Sequence, residues 1–159
     1  MTAEQLNAFI KSIQYVFESS IGTHASRKDL KVIKPGEQRA KVGGIPGRKW
    51  AIATVTLGGQ SKGCLVMTVA EKTAIPLVAG MVHDRIGEMN ALVRDGVGEI
   101  ADTIAGSACG VMGGRVKKAA PATVVVDETV HVKLPSNLPS FELTFTTEYG
   151  DFNIDVALS

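Results

Sequence analysis

Near its C-terminal end the chain alternates apolar and polar residues so regularly that only a sheet packed on one face accounts for it. Phe141, Leu143 and Phe145 alternate with Glu142, Thr144 and Thr146. After Tyr149-Gly150, Phe152, Ile154, Val156 and Leu158 alternate with Asn153, Asp155 and Ala157. Successive side chains of a strand point to opposite faces, so this pattern predicts a hairpin wet on one face and packed on the other. The packed face then needs a covering layer.

Helices supply it. From Thr2 to Ile21, apolar residues Leu6, Phe9, Ile10, Ile13, Val16, Phe17 and Ile21 recur at helical steps, with Thr2 and Gln5 as a capping box and Gly22 as the stop. Glu71 to His83 reads as a second helix, in which Pro76 belongs to the first turn or marks a kink. A long helix from about Glu88 to Met112 ends at Gly113-Gly114. Strands are expected at Leu30–Ile33, Trp50–Leu57, Cys64–Val69, Ala122–Val126 and Val130–Leu134, with an irregular loop or bulge around Gly43, Gly44, Pro46 and Gly47. The fold class is α+β: an antiparallel or mixed sheet of about six strands with helices packed on one face. Helix-then-strands occurs twice, which hints at an internal pseudo-repeat. With 159 residues and no linker-like stretch, residues 1–159 read as a single domain.

The long helix carries the chemistry. At about 100° per residue, Val93, Val97, Ile100, Ile104 and Val111 form a core-facing stripe. The opposite side carries Asp95, Glu99 and Asp102, surrounded by Gly98, Ala105, Gly106 and Cys109. Exposed helix faces usually set a base four residues after an acid; none does so from Asp95 to Cys109. Each interior Gly also costs about 1 kcal/mol relative to Ala. One reading is a solvated acidic face with glycines for tight packing. The other is a helix that lets a partner backbone come close and offers it Glu99 and Asp102, neighbours at i and i+3. Glu4 and Asn7 repeat that spacing, but at a helix start where the dipole already favours Glu; this is taken as coincidence.

Other functions find little support. A net charge of +1 and an aromatic content of 5% argue against nucleic acid. No window approaches the roughly 18 apolar residues of a membrane span, and the N-terminal residues lack a signal-peptide pattern. Cys64 and Cys109 stand alone, which reads as two reduced thiols in a cytoplasmic protein. His24, His83 and His131 show no ligand spacing, so no metal site is expected. Gly59-Gln60-Ser61-Lys62-Gly63 matches a nucleophile elbow in letters but lies between two strands.

Gly98-Glu99-Ile100-Ala101-Asp102-Thr103-Ile104-Ala105-Gly106 resembles the signature helix of the CheX branch of the CheC/CheX/FliY chemotaxis phosphatases, usually G-E-x-x-N-x-x-A-G. Leu6 to Ile10 with Val16-Phe17, Pro121 to Val125, and Phe141 to Gly150 resemble other stretches of the same family, in the same order. The resemblance implies docking against a phosphorylated, CheY-like receiver and faster loss of its aspartyl phosphate. It assigns Glu99 to a salt bridge with the receiver's active-site Lys and Asp102 to the water-positioning place. Gly98, Ala105 and Gly106, with Asp95, would let the receiver approach. The cofactor, Mg²⁺, would sit on the receiver and none on this chain. Family members can pair through edge strands, so a homodimer is also expected.

Asp102 departs from the family's Asn. An amide both donates and accepts; a carboxylate only accepts. Two like charges about 4 Å apart repel by roughly 4 kcal/mol at an effective dielectric of about 20, enough to cancel much of the gain from a positioned water. A protonated Asp102 would restore a donor, and an ionised one could act as a general base. Without either, the chain would be a docking module that has lost the chemistry.

Overall fold

The computed structural model describes residues 1–37 and 41–159. The Thr2 hydroxyl accepts from the Gln5 N–H and the Gln5 side chain accepts from the Thr2 N–H, the reciprocal cap that starts helix α1 (Ala3–Val16). A π-helical turn (Phe17–Ile21) follows, and Gly22 stops it at φ 83°, where a residue without Cβ is unstrained. Next come β1 (Ser26–Ile33), β2 (Val42–Gly43), β3 (Trp50–Gly59), β4 (Gly63–Ala70), α2 (Glu71–Val82) and α3 (Ala91–Val111). The chain closes with β5 (Val116–Lys118), β6 (Thr123–Asp127), β7 (Thr129–Val130), β8 (Ser140–Thr147) and β9 (Gly150–Leu158).

Among the described residues, seven strands form one sheet in the order β1-β8-β9-β4-β3-β5, and β6 also pairs with β3. All its pairings are antiparallel. The fold is α+β, as the alternation required. Strand β3 is shared: Trp50–Thr54 face β6, and Leu57–Gly59 face β5. Strands from early and late in the chain interleave, because β8 and β9 lie between β1 and β4. Among the described residues, strand β1 is an open edge whose Leu30 and Val32 are exposed.

The main core lies between the sheet and the three helices. Leu143, Phe145, Phe152, Ile154, Val156 and Leu158 point into it, as do Leu65, Met67 and Val69. Phe17 stacks on Phe152 with ring centroids 4.5 Å apart, and Phe152 stacks on Phe145 at 5.5 Å, which seats the end of α1 on the closing hairpin.

The sheet's other face is not simply wet. A ribbon of β2 and β7 covers part of it, and Val130 and Val132 pack with Ile52, Cys64 and Val66 in a second, smaller core. Asp155 and Ala157, expected to face water, are therefore buried. The strand expected at Val130–Leu134 shrinks to Thr129–Val130, whose partner is Val42–Gly43 in the stretch read as an irregular loop. Strand β1 starts four residues earlier than expected, at Ser26, and the three-residue β5 was not foreseen. Pro76 lies inside α2, past its first turn. No helix among the described residues is long and apolar enough to cross a membrane.

Two glycines seat α3. A Cβ on Gly96 would stand 2.5 Å from Val78 Cγ1 of α2, and one on Gly98 would stand 2.9 Å from Val124 Cγ2 of β6. Gly96→Ala should therefore destabilise the protein by about 1–3 kcal/mol through overpacking, although Ala is the better helix former. Gly110→Ala, where a Cβ meets nothing within 4 Å, should instead gain up to about 1 kcal/mol. Urea unfolding of both variants checks the contrast; equal effects would mean that the α2–α3 crossing is not tight.

Candidate functional site

Helix α3 begins where Asn90 Oδ1 accepts from the Val93 N–H at 3.0 Å, an N-cap that satisfies one otherwise orphan donor. Val93, Val97, Ile100 and Ile104 are buried, as the stripe predicts. Val111 is not: it is 64% exposed at the last helical position, and Met112 packs on the core in its place before the turn at Gly113-Gly114.

On the outer side, Asp95 and Glu99 stand in solvent while Asp102 is half-buried. Glu99 and Asp102 thus remain one helical turn apart on the side of α3 away from the core. The Thr103 hydroxyl donates to the Glu99 carbonyl at 2.7 Å, leaving the Glu99 carboxylate free of that contact. The Asp95 carboxylate lies 3.8 Å from the Arg94 guanidinium, in an exposed pair that adds little stability.

The small residues divide between two roles. Gly98 and Ala105 are buried, and Val124 fills the room that Gly98 leaves. Both positions, which the resemblance gave to a partner's approach, are thus packed within the chain itself. Gly98 lies on the flank of α3 that meets β6, and Ala105 belongs to the main core. Gly106 keeps a partly exposed position, with Lys118 as its neighbour.

Asp102 is engaged from the side of β5 and β6. The Ala122 N–H donates to both of its oxygens, at 3.1 Å to Oδ1 and 3.2 Å to Oδ2. Lys118 Nζ lies 3.7 Å from Oδ1, and the two side chains are 40% and 20% exposed. The helix sets no base four residues after Asp102; a short strand brings one. Sequence reading missed Lys118 because i+4 spacing looks only along the helix, and Val116-Lys117-Lys118 is too short to announce a strand. The backbone bond outweighs the ion pair. A hydrogen bond to a charged group contributes about 1.5–3 kcal/mol, and a half-exposed ion pair about 0–1 kcal/mol.

The remaining candidates stay apart. Ser61 is in the turn between β3 and β4, without a helix behind it. Burial, reinforced by Asp155, pushes the Cys64 thiol up to about 11. Burial also raises Cys109, against the opposing charge of Lys118. Neither thiol is poised as a thiolate at neutral pH. Among the described residues, no three His, Cys, Asp or Glu side chains gather as metal ligands. Glu4 is in the first turn of α1, where the helix dipole accounts for it.

Residues 51–146 match the model of the chemotaxis phosphatase CheX family. The chain belongs to that family. It is similar in fold to a chemotaxis protein CheX from Desulfovibrio desulfuricans, with a TM-score of 0.82, 21% identity and coverage of 98% of this chain and 99% of that one. CheX from Vibrio vulnificus aligns with a TM-score of 0.79 at 21% identity, covering 99% and 100% of the two chains. A chain of the CheX-CheY-BeF3-Mg²⁺ complex from Borrelia burgdorferi aligns at a TM-score of 0.61 and 13% identity, over 97% of each chain. No curated protein matches the chain by sequence.

The bond from Ala122 makes a clear prediction. Asp102→Ala should lower stability by about 1–3 kcal/mol, because it orphans a backbone donor, and should speed hydrogen exchange of the Ala122 amide. Asp102→Asn keeps an acceptor and should stay within about 1 kcal/mol of wild type. An Ala variant as stable as the Asn variant would show that the carboxylate does not pin the linker.

Proposed function

We propose that this CheX-family chain, acting as one domain in the cytoplasm, docks the outer side of α3 onto a phosphorylated receiver and hastens hydrolysis of its aspartyl phosphate. The observation that carries the proposal is the arrangement on α3: Glu99 free in solvent, and Asp102 one turn away at the seam with β5 and β6. A protruding carboxylate can pair with an ammonium group in the receiver's active site. Asp102, held by Ala122 and Lys118, presents a fixed acceptor that can orient an attacking water. Fixed placement matters because phosphoryl transfer is catalysed mainly by positioning and electrostatics. Mg²⁺ belongs to the receiver in this scheme. Family membership supports the activity, and the complex from Borrelia burgdorferi supports the kind of partner.

A second reading rests on the same contacts. The Ala122 N–H is shared by both Asp102 oxygens, and on this reading holding the linker is the residue's whole role. The chain would then bind a receiver without shortening the lifetime of its phosphate. The open edge of β1 also suits pairing of two copies of the chain, and sedimentation would detect the homodimer.

A phosphate-release assay with wild type, Glu99→Ala and Asp102→Asn separates the readings. If the chain is a phosphatase, Glu99→Ala should slow release by about tenfold or more through loss of a docking ion pair; an unchanged rate ends the assignment of Glu99. If it is a docking module, wild type should leave the phosphate lifetime unaltered, and Asp102→Asn should introduce activity.

A further inference from the structure

The ammonium group beside Asp102 changes what that carboxylate can do. Lys118 closes β5, paired opposite Leu57 at the end of β3. Its stem runs beside Gly106, where a Cβ would stand 3.9 Å from Lys118 Cε. Its Nζ ends 3.7 Å from Asp102 Oδ1, with the side chain 40% exposed. Cys109, on the same flank of α3, also feels this positive charge. The ammonium is therefore held above the outer side of the helix and is open to an incoming group.

We infer that Lys118 is the cation that faces the phosphoryl group of the docked receiver, compensating the charge of Asp102 and donating the hydrogen bond that a carboxylate cannot. The inference rests on the receiver reading above. An ionised Asp102 accepts only, and its oxygens already receive the Ala122 N–H. An approaching phosphoryl group would meet net repulsion from that carboxylate alone. With Lys118 the pair is neutral, and an ammonium has three N–H donors, of which Asp102 can occupy one or two. The remainder can address phosphoryl oxygens, for which Lys is a point-charge binder. Stability does not explain the pair, because an ion pair this exposed contributes little to folding.

The test compares wild type, Lys118→Ala, Lys118→Arg, Asp102→Asn and the double variant Asp102→Asn/Lys118→Ala. Affinity is measured for a CheY-type receiver with Mg²⁺, unloaded and loaded with beryllium fluoride, and the maximal rate of phosphate release is measured at saturation. Lys118→Ala should cost about tenfold or more in the rate or in affinity for the loaded receiver, and less than about twofold for the unloaded one. Lys118→Arg should restore most of the loss. In the Asp102→Asn background the same truncation should cost less than about threefold, the non-additivity expected of groups that act together. Should wild type dock without hydrolysis, the loaded-against-unloaded affinities decide alone. The inference is overturned if Lys118→Ala behaves as wild type, or if it loses equally with both receiver forms or in both backgrounds. If wild type neither binds the loaded receiver nor speeds release, the receiver reading itself fails and this inference falls with it.

Discussion

The close seating of helix α3 is the constraint on which the rest of the structure depends. This helix reaches the sheet, α1, α2 and the short strands β5 and β6, and it can do so only where its surface is nearly bare. Gly96 admits Val78 from α2, and Gly98 admits Val124 from β6. Closely packed interiors do not absorb an added methyl group without strain. The two glycines therefore set the depth of the helix, and the depth decides which side chains remain outside. Glu99 and Asp102 are presented as they are because the turn of helix carrying them cannot rise or rotate away from the sheet.

The same glycines show how one sequence signal can have two causes. Bare positions on a helix indicate that something comes close, but not whether it belongs to the same chain. At Gly98 one close approach comes from within the chain, and spacing could not show it, because β6 follows the helix at a distance no local pattern encodes. Glu99 was readable: it falls opposite the buried stripe whichever element packs beneath. So were the closing hairpin and most helix limits, where alternation, caps and glycine stops act within a few residues. The β2–β7 ribbon was not. Its two-residue strands owe their existence to a pairing between distant segments and to the apolar face they cover, so neither carries a local signature. With the ribbon hidden, the outer face of β9 looked wet, and the burial of Asp155 and Ala157 could not be anticipated.

Lys118 belongs to this illegible class, and it alters the meaning of the residue it meets. Judged within its helix, Asp102 is an uncompensated acid near the place where phosphoryl charge would build up. In the fold it is a half-buried acceptor that holds a backbone N–H, with an ammonium at its edge. These contacts act in different directions. The bond from Ala122 fixes the carboxylate in place. Held in this way, an ionised Asp102 is either an acceptor for water or an anchor with no chemistry.

The ammonium bears on the choice between them. An acceptor is useful beside a phosphoryl group only if its charge is offset from outside, since electrostatic help in such a transfer means positive charge or N–H groups facing the oxygens. A carboxylate and an ammonium can together supply what one amide supplies alone, an acceptor for water and a donor for phosphate, without its neutrality in a single group. The two charges need not be tightly paired for this. At 3.7 Å the ammonium is near enough to offset the charge of Asp102 toward an approaching group, while part of its donor capacity stays available. A short, saturated salt bridge would have served folding better and an incoming phosphate worse. Under the proposed receiver reading, so loose a pair leaves room for a third, anionic member.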